Sequence, residues 1–298
     1  MRSLTTVFVL MFGVFALLWA FIVEPHFMLV RDNINIVSDK WPSNLDGMKV
    51  LVAGDFHTGK YPWERRRLRR AIDAIKAEKA DVIFLVGDYI NQSRYSKERP
   101  KNMMDLNEME KYFSELSAPC GVFAIFGNHD LNFRGAKEIG AMLERAGITV
   151  LKNSLETVHT GKGSFAVYGA LGTPYTSGAS DRAIRKVPEN LPVIALTHSP
   201  DGIIALSGRP VAVFAGHTHG GQIRLPYGRP IVTNSNLGSN YADGLVDMGD
   251  SFLYTTRGLG TSRIPARFAC PPTISIVRFY SPSSGVKPSP ARPGVDAN

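Results

Sequence analysis

The amino-acid sequence predicts an α/β fold preceded by a membrane-spanning helix. Between residues 47 and 280, short apolar runs of strand length alternate with segments of helical periodicity, and this alternation is typical of α/β proteins. Within the first 23 residues, one long apolar stretch stands apart from that pattern. Hydrophobic residues make up 44% of the 298 residues and charged residues 20%, which is ordinary for a globular protein and argues against a disordered or fibrous chain.

The apolar stretch, residues 4–23, contains no charged residue and is long enough to cross a membrane. As a helix it would extend ~30 Å, the thickness of the hydrocarbon core of a bilayer. A cleaved signal peptide has a shorter apolar region of ~7–15 residues and a small-x-small cleavage site, and no convincing site of that kind follows Trp19. We therefore favour an uncleaved signal anchor over residues 1–23. A cleaved signal is the alternative, and a buried core helix is disfavoured because the stretch is apolar on all sides.

The side of the membrane is indicated only by a small difference in charge. Arg2 and the terminal amine make the N-terminal flank positive, whereas Glu24, Arg31 and Asp32 nearly balance on the other flank. The positive-inside rule then favours an outer location for the rest of the chain, through a bias of one or two charges.

The remainder of the chain divides into a linker, one domain and a tail. Residues 24–46 are expected to form a juxtamembrane linker, residues 47–280 the domain, and the Pro-, Ser- and Gly-rich residues 281–298 a disordered tail. Helices are predicted over residues 64–79 and 135–146, where apolar residues recur at helical spacing. The predicted strands are 49–54, 81–86, 121–126, 164–169, 192–197, 211–215, 251–256 and 273–280.

Polar residues follow five of these strands. In chain order the strand ends read Gly54-Asp55-Phe56-His57, Gly87-Asp88, Gly127-Asn128-His129-Asp130, Thr197-His198 and Gly216-His217-Thr218-His219. Ligands of open α/β sheets bind beyond the carboxyl ends of strands, so these side chains are expected to meet in one place. Five of the seven histidines lie in these motifs, which scattered structural histidines would not do.

The residue types at the strand ends suit divalent metal ions. Imidazole nitrogen and carboxylate oxygen without thiolate are typical ligands of Mn, Fe or Zn. The candidate ligands are Asp55, His57, Asp88, Asn128, His198, His217 and His219. Seven ligands are more than one ion needs, so we predict two ions that share a bridging aspartate. Two-metal sites hold their ions ~3.5–4 Å apart and stabilise the attacking and leaving oxygens of a displacement.

The five motifs resemble the pattern of the calcineurin-like metallophosphoesterases, which is D-x-H, G-D, G-N-H-D/E, a histidine and G-H-x-H. All five occur in order over residues 55–219. Residues 216–222 (GHTHGGQ) and 257–262 (RGLGTS), together with Arg267-Phe268, resemble a bacterial branch of membrane-associated or exported phosphodiesterases. The likeness covers about residues 45–280. It implies two mixed β-sheets packed as a sandwich between helices, in four layers, and a single-pass anchor in the bacterial cytoplasmic membrane.

The resemblance also implies roles for the site residues. Asp55, His57 and His219 would hold one ion, Asp88 would bridge, and Asn128, His198 and His217 would complete the second site. A hydroxide bridging the two ions would hydrolyse a phosphodiester or pyrophosphate bond. His129 would donate a proton to the leaving oxygen or stabilise charge there, and Asp130 would orient His129 or a metal ligand. Arg257 and Arg263 would approach the substrate phosphate.

The net charge of the chain indicates which classes of partner to expect. Lys and Arg exceed Asp and Glu by 34 to 26, a net charge of +8, which suits a phosphate ester or an acidic membrane surface. No nucleic-acid motif is present, and no nucleic acid is expected. The basic run at residues 64–70 is interpreted as the solvated face of an amphipathic helix, with contact to lipid headgroups as the alternative. Cys120 and Cys270 are too few for a disulfide scaffold or a four-cysteine zinc site, and whether they pair stays open.

Together these features predict a membrane-anchored phosphodiesterase or pyrophosphatase that needs two metal ions and acts on a lipid-linked or membrane-proximal phosphate ester. A UDP-2,3-diacylglucosamine pyrophosphatase of lipid A synthesis is the alternative within this class, although its substrate requires access from the cytosolic leaflet. A non-catalytic metal-binding scaffold is the alternative from a different class, and it is disfavoured because no ligand position is lost. A protein Ser/Thr phosphatase shares the metal chemistry, but this chain is short for that group.

Overall fold

The computed structural model describes residues 2–91, 101–131, 135–171, 187–206, 209–225 and 228–294. The helices in these ranges are α1 (Arg2–Leu18), α2 (Glu24–Phe27), α3 (Pro62–Ala77), α4 (Leu106–Phe113), α5 (Asn128–Leu131), α6 (Gly135–Arg145) and α7 (Ile203–Leu206). The strands are β1 (Val30–Val37), β2 (Met48–Ala53), β3 (Val82–Leu85), β4 (Val122–Ala124), β5 (Thr149–Val150), β6 (Ser154–His159), β7 (Ser164–Gly169), β8 (Val193–Leu196), β9 (Ala212–Ala215), β10 (Gly244–Asp247), β11 (Phe252–Thr255), β12 (Thr273–Tyr280) and β13 (Arg292–Pro293).

The strands form two mixed sheets that pack face to face. Their orders are β1-β12-β2-β3-β4-β5 and β13-β10-β11-β9-β8-β7-β6. Strands β2, β3 and β4 are parallel in the first sheet, as are β7, β8 and β9 in the second, whereas β12 runs antiparallel to β2 and β6 antiparallel to β7. Between the sheets, the ring centroids of Phe84 on β3 and Phe214 on β9 lie 5.9 Å apart within one apolar core. The predicted sandwich is therefore confirmed.

Helices cover the outer faces and complete the four layers. Helices α3, α4 and α6 pack on the first sheet, where Ile72, Phe113 and Leu143 are buried against the outward side chains of β2 and β3. On the second sheet, Ile203 and Leu206 of α7 pack against the outward residues of β9 and β11. Each large side chain buried in this way contributes ~1.5–3 kcal/mol to folding.

The predicted strands and helices are all present, with ends shifted by up to two residues. The strands that the sequence analysis did not predict lie outside the strongly apolar runs. Strand β1 falls in the expected linker and pairs in parallel with β12 along its whole length. Its sequence VRDNINIV buries only one side, chiefly Ile36, so it has no continuous apolar run from which a strand could be predicted.

The expected disordered tail also differs in the structure. Over residues 281–294 the chain lies on the domain, and β13 pairs with β10. The backbone N–H of Ser289 donates to the carbonyl of Asn35 at 3.0 Å, and that of Gly294 donates to the carbonyl of Asp247 at 2.7 Å. Main-chain hydrogen bonds to an edge strand do not require apolar side chains, so a Pro- and Ser-rich composition does not reveal them.

At the N-terminus, α1 continues through a π-helical turn, Trp19–Val23, into α2. Pro25 lacks an N–H for the helical ladder, which is a common cause of such an irregularity. Within the helical residues Leu4–Phe27, an 18-residue stretch has a mean hydropathy of 2.6 and is almost entirely exposed. By length and composition this helix is a candidate membrane anchor.

The end of this helix is fixed to the domain by specific hydrogen bonds. The backbone N–H of Arg267 donates to the carbonyl of Ala20 at 2.8 Å. The buried carboxylate of Glu24 accepts hydrogen bonds from the Trp19 indole at 2.8 Å, the Ala269 N–H at 3.0 Å and the Cys270 N–H at 2.5 Å. The helix therefore contacts the loop over residues 262–270, which we call the wall loop.

Candidate metal centre

The carboxyl ends of five strands meet at one edge of the sandwich. In the first sheet, the loops after β2, β3 and β4 carry Asp55 with His57, Asp88, and Asn128 with His129. In the second sheet, the loops after β8 and β9 carry His198, and His217 with His219. Three overlapping groups have ligand atoms within 4.8 Å of one another, and they are Asp55–His57–His219, His57–Asp88–His129 and Asp88–His198–His217.

The backbone at these strand ends is bent back sharply. Positive φ angles occur at Asp55 (50°), His57 (42°), Asp88 (56°), His217 (72°) and His219 (53°). Non-glycine residues in this region cost ~1–3 kcal/mol each, so the surrounding structure must hold them there. Glycines make room: a Cβ added to Gly127 would lie 2.1 Å from the Asp88 Oδ1 atom, and one added to Gly216 would lie 2.7 Å from the Asp55 Oδ2 atom.

Asp88 lies at the centre of the cluster. Its Oδ2 atom is 3.2 Å from His198 Nε2, 3.5 Å from His57 Nε2 and 4.0 Å from His129 Nε2. On one side, His57 Nε2 and His219 Nε2 approach to 3.0 Å, and His219 Nε2 lies 3.8 Å from Asp55 Oδ1. Asp88 therefore shares its carboxylate with both halves of the cluster.

The other half of the cluster is built around His198. Its Nδ1 donates to the carbonyl of Val86 at 2.8 Å, which directs Nε2 towards Asp88 and towards Asn128 Oδ1, 3.2 Å away. This hydrogen bond to a carbonyl is the usual way in which a ligating imidazole is oriented. The ring of His217 packs 5.0 Å from that of His198, and the His217 backbone N–H donates to Asp55 Oδ1 at 3.0 Å.

The buried carboxyl groups of Asp55 and Asp88 make the cluster favourable for cations. Burial raises the pKa of Asp55 to about 7. Burial also acts to raise the pKa of Asp88, but the surrounding imidazoles, His198 above all, hold it well below its usual range. Burial acts to lower the pKa of His198, but Asp88, together with Asp55 and the Val86 carbonyl, raises it to about 10. Two buried carboxylates are stable only beside positive charge, and a bound ion would supply that charge in place of a proton on His198, whose Nε2 lies 3.2 Å from Asp88 Oδ2.

The remaining imidazoles are suited to ligate a metal. Burial lowers the pKa of His57 and His219 well below the usual value, and that of His217 to about 4. Neutral imidazoles offer a nitrogen lone pair, which is the form that binds metals. With Asp55, Asp88 and the Asn128 amide oxygen, the donor set fits two divalent ions.

The comparison with known proteins agrees with this arrangement. A family model described as calcineurin-like phosphoesterase matches residues 48–221, more than half of the chain. The chain belongs to the calcineurin-like phosphoesterases. It is therefore a phosphoester hydrolase, as the resemblance of its motifs implied.

Curated relatives of this calcineurin-like phosphoesterase come from several bacteria. The chain is 31% identical to the metallophosphoesterase YkuE of Bacillus subtilis over 87% of each chain. It is 30% identical to the phosphodiesterase YaeI of Escherichia coli, over 85% of this chain and 88% of YaeI. It is 27% identical to the UDP-2,3-diacylglucosamine pyrophosphatase LpxG of Chlamydia trachomatis, over 94% of this chain and 97% of LpxG.

His129 and Asp130, the two residues for which catalytic roles are predicted, lie in different surroundings in the phosphoesterase. His129 borders the cleft with its side chain 14% exposed, and its backbone N–H donates to Asp88 Oδ1 at 2.8 Å. Asp130 is fully buried and accepts from the backbone N–H groups of Asp88 at 2.7 Å, Gly127 at 2.8 Å and Tyr89 at 2.9 Å. Asp130 thus acts on the loop that carries Asp88, which favours the orienting of a metal ligand over the orienting of His129.

A cleft of about 710 Å³ opens over the cluster, and we call it the metal cleft. Its walls include Asp88, Asn128, His129, His217 and His219, with residues 232–236, Asn91, Ser262 and Arg263. Arg263 thus lines the cleft in which the resemblance expects the substrate phosphate to bind. Arg257 instead pairs with the buried Asp243 at 3.0 Å, and Arg224 binds the other oxygen of the same carboxylate at 2.9 Å.

The basic run on α3 is engaged with protein groups. Arg65 and Arg69 pair with Glu108 at 2.6 Å and Glu115 at 2.5 Å. Arg67 is buried and donates to the carbonyl of His57 at 3.0 Å. A solvated face describes the run only in part, because α4 carries Glu108 and the turn after α4 carries Glu115, and both are acidic partners of α3.

Sequence reasoning gave no role to two other buried groups near the cluster. The guanidinium of Arg267 donates to the carbonyls of Gly260 at 2.6 Å and Arg257 at 2.8 Å, and lies 3.4 Å from His219 Nδ1. Asp201 accepts from the Ser235 hydroxyl at 2.5 Å and the Asn236 N–H at 3.1 Å, which fixes one wall of the cleft. Arg267 belongs to the Arg267-Phe268 pair that resembles the bacterial phosphodiesterases, but nothing local in the sequence distinguishes a buried arginine from an exposed one.

Proposed function

We propose that this phosphoesterase hydrolyses a phosphodiester or pyrophosphate bond in a lipid-linked or membrane-proximal substrate and depends on two divalent ions, Mn, Fe or Zn. The observation that carries the proposal is the position of Asp88, whose Oδ2 atom lies within 3.5 Å of imidazole nitrogens from both halves of the cluster. One carboxylate between two sets of nitrogen and oxygen donors is the arrangement that a dinuclear site needs.

The two ligand sets are proposed as follows. Asp55, His57 and His219 would hold one ion, Asn128, His198 and His217 would hold the other, and Asp88 would serve both sets. Bound ions would supply Lewis-acid chemistry, which means a water molecule of lowered pKa and neutralised charge on the phosphate oxygens.

The chain's own residues supply positioning and proton transfer. The His129 side chain reaches the cleft from the first turn of α5 and is the proposed proton donor to the leaving oxygen. Arg263 borders the same cleft and offers a cation to a phosphate group there. Asp130 and Arg67 hold the main chain of Asp88 and His57 and therefore act through these residues rather than on the substrate.

Two observations support a membrane-proximal substrate. The candidate anchor helix ends in hydrogen bonds to the wall loop, so the metal cleft lies beside the point where the helix leaves the domain. LpxG, a relative over nearly its whole length, is named for a lipid-linked pyrophosphate. The same activity on UDP-2,3-diacylglucosamine is the alternative for this chain.

The test uses the full-length protein in detergent micelles. Hydrolysis of bis-p-nitrophenyl phosphate is compared with that of p-nitrophenyl phosphate, with Mn²⁺ or with EDTA, in wild type, His217→Ala and the control His159→Ala, an exposed histidine on β6. We expect metal-dependent cleavage that prefers the diester, is unaffected in His159→Ala and falls at least about 100-fold in His217→Ala. Release of UMP from UDP-2,3-diacylglucosamine would show that the chain has the alternative activity, that of a UDP-2,3-diacylglucosamine pyrophosphatase. Protein that carries two ions per chain and cleaves no ester would contradict the proposal.

A further inference from the structure

A second, smaller cavity of about 260 Å³ adjoins the metal cleft. Its apolar lining consists of Ile223, Ile231, Val232 and Ile264, and we call it the apolar hollow. Ile231, Val232 and Ile264 each leave half or more of their surface exposed. Large apolar side chains grouped at the edge of a cleft mark a surface that binds an apolar partner.

The hollow and the metal cleft are continuous. Five residues line both, namely His219, Val232, Asn234, Ser262 and Arg263. A ligand whose phosphate lies over the metal ligands can therefore extend past Arg263 into the hollow without leaving the protein surface. Pockets for whole small molecules measure ~300–1,000 Å³, so the cleft has room for a polar headgroup and the hollow only for part of a chain.

The hollow also lies beside the candidate anchor. Ile264 is held in its wall because Gln222 Nε2 donates to the Ile264 carbonyl at 3.0 Å. Three residues further on, the Arg267 N–H donates to the Ala20 carbonyl of the helix. Three residues span at most ~11 Å, so the wall of the hollow lies about that far from the helix, whose Phe21 and Ile22, next to Ala20 in the chain, have exposed apolar side chains.

We propose that the apolar hollow binds a hydrocarbon chain of the substrate whose phosphate group lies in the metal cleft. The inference rests on the proposed function, and it adds the place and the chemistry by which this enzyme would select a lipid. A chain passing from the bilayer into the hollow would keep its methylenes out of water and bring the phosphate to the metal ligands. The adjoining helix and the continuity with the cleft favour a substrate chain over a second protein.

The test compares two soluble diesters, methyl p-nitrophenyl phosphate and octyl p-nitrophenyl phosphate, on the full-length enzyme in nanodiscs. Each methylene buried is worth about fourfold in kcat/KM, so we expect wild type to prefer the octyl ester by at least about tenfold. In Ile264→Asp and Ile231→Asp the ratio of the two kcat/KM values should fall towards one. Ile204→Asp, an equally exposed isoleucine on α7, is the control and should keep the wild-type ratio. Partitioning of the octyl ester into lipid is the same for all variants, so it cancels when the ratio of a variant is divided by that of wild type, and calorimetry supplies the preference of the wild type itself.

Binding gives a readout that does not need turnover. Calorimetric titration with octyl phosphate and methyl phosphate should show the same chain-length preference in wild type and its loss in Ile264→Asp. The inference would be overturned if wild type bound octyl phosphate no more tightly than methyl phosphate. It would also be overturned if the variants lowered the affinity for both ligands equally. Absence of hydrolysis together with preserved binding of octyl phosphate would count against the proposed function and leave the hollow supported.

Discussion

Two neighbouring side chains on the short helix α5, those of His129 and Asp130, have opposite surroundings. The first borders the metal cleft, and the second is buried beneath the Asp88 loop. Adjacent residues at the start of a helix project about 100° apart, so one motif can supply both a group at the reacting bond and a group that holds a ligand. Substituting His129 should therefore affect the reaction itself, whereas substituting Asp130 should affect metal binding and stability.

For His129, we expect that His129→Ala keeps both metal ions and loses activity by about 100-fold to 10,000-fold. The reason is that its proposed role is proton transfer, which contributes a factor of that size. Metal content by mass spectrometry and the diesterase rate on the same sample check this. A variant that loses an ion would place His129 in the ligand set instead, consistent with its 4.0 Å approach to Asp88.

For Asp130, we expect Asp130→Asn to bind metal more weakly and to unfold more easily. The carboxylate accepts from three backbone N–H groups in the interior, and an amide group of the same shape would direct its NH₂ at one of them. A buried unsatisfied donor costs ~1–3 kcal/mol. Thermal unfolding and a metal titration check both effects against Asp73→Asn, an exposed carboxylate on α3. Unchanged metal affinity in Asp130→Asn would show that the hydrogen bonds do not hold Asp88.

At the residue scale, the candidate ligands could be predicted because each follows an apolar run and belongs to a spaced motif. The structure brings all seven together. The supporting groups Arg67, Arg267 and Asp201 could not be predicted in the same way. Their roles depend on carbonyl and N–H groups that no helix or strand spacing brings into reach, such as the Asn236 N–H for Asp201 and the Gly260 carbonyl for Arg267.

At the scale of elements, the end of the N-terminal helix is more closely integrated with the domain than an anchor with a linker would be. At Ala269 and Cys270 the wall loop is bound to the helix end rather than to a strand, because both backbone N–H groups donate to the carboxylate of Glu24. The same loop carries Arg267, whose guanidinium reaches His219. The helix end therefore helps to order one wall of the metal cleft.

We expect Glu24→Ala to destabilise the wall loop. Two donors at Ala269 and Cys270 lose their acceptor, at a cost of ~1–3 kcal/mol, or a few degrees in Tm for a domain of this size. Limited proteolysis within the loop and thermal unfolding in micelles measure the effect. Glu24→Gln, which keeps one acceptor oxygen, should retain part of the stability, and Glu156→Ala on the exposed side of β6 should retain all of it. Equal stability of Glu24→Ala and wild type would contradict the expectation.

Which elements could be predicted follows from how they are buried. Central strands such as β3 and β8 are buried on both faces and appear in the sequence as continuous apolar runs. Edge strands such as β1 and β13 are buried on one side or hardly at all, and their pairing is held by main-chain hydrogen bonds. Composition cannot show such pairing, which is why both fell in segments expected to lack regular structure.

At the scale of the whole molecule, we expect the full-length chain to stay with the membrane. Its helix is long enough to span a bilayer, and its last turns are bound to the domain. Cell fractionation with an alkaline carbonate wash should leave the protein in the pellet, with the intact mass of 32.7 kDa. A charged residue at the centre of a membrane helix costs ~2.5–3.5 kcal/mol, so the double variant Leu10→Arg, Phe12→Arg should reduce retention. A shortened soluble form would indicate the cleaved signal.

The hydrogen bonds that join the wall loop to Ala20 and Glu24 bear on how the enzyme would encounter its substrate. If the helix spans a bilayer, as proposed, these bonds would hold the cleft at a fixed height and orientation above the membrane surface. An enzyme held in this way would meet the proposed lipid substrate by lateral diffusion, and its turnover would follow the mole fraction of substrate in the surface rather than its bulk concentration. Adding inert lipid at a constant amount of substrate would slow such an enzyme by surface dilution.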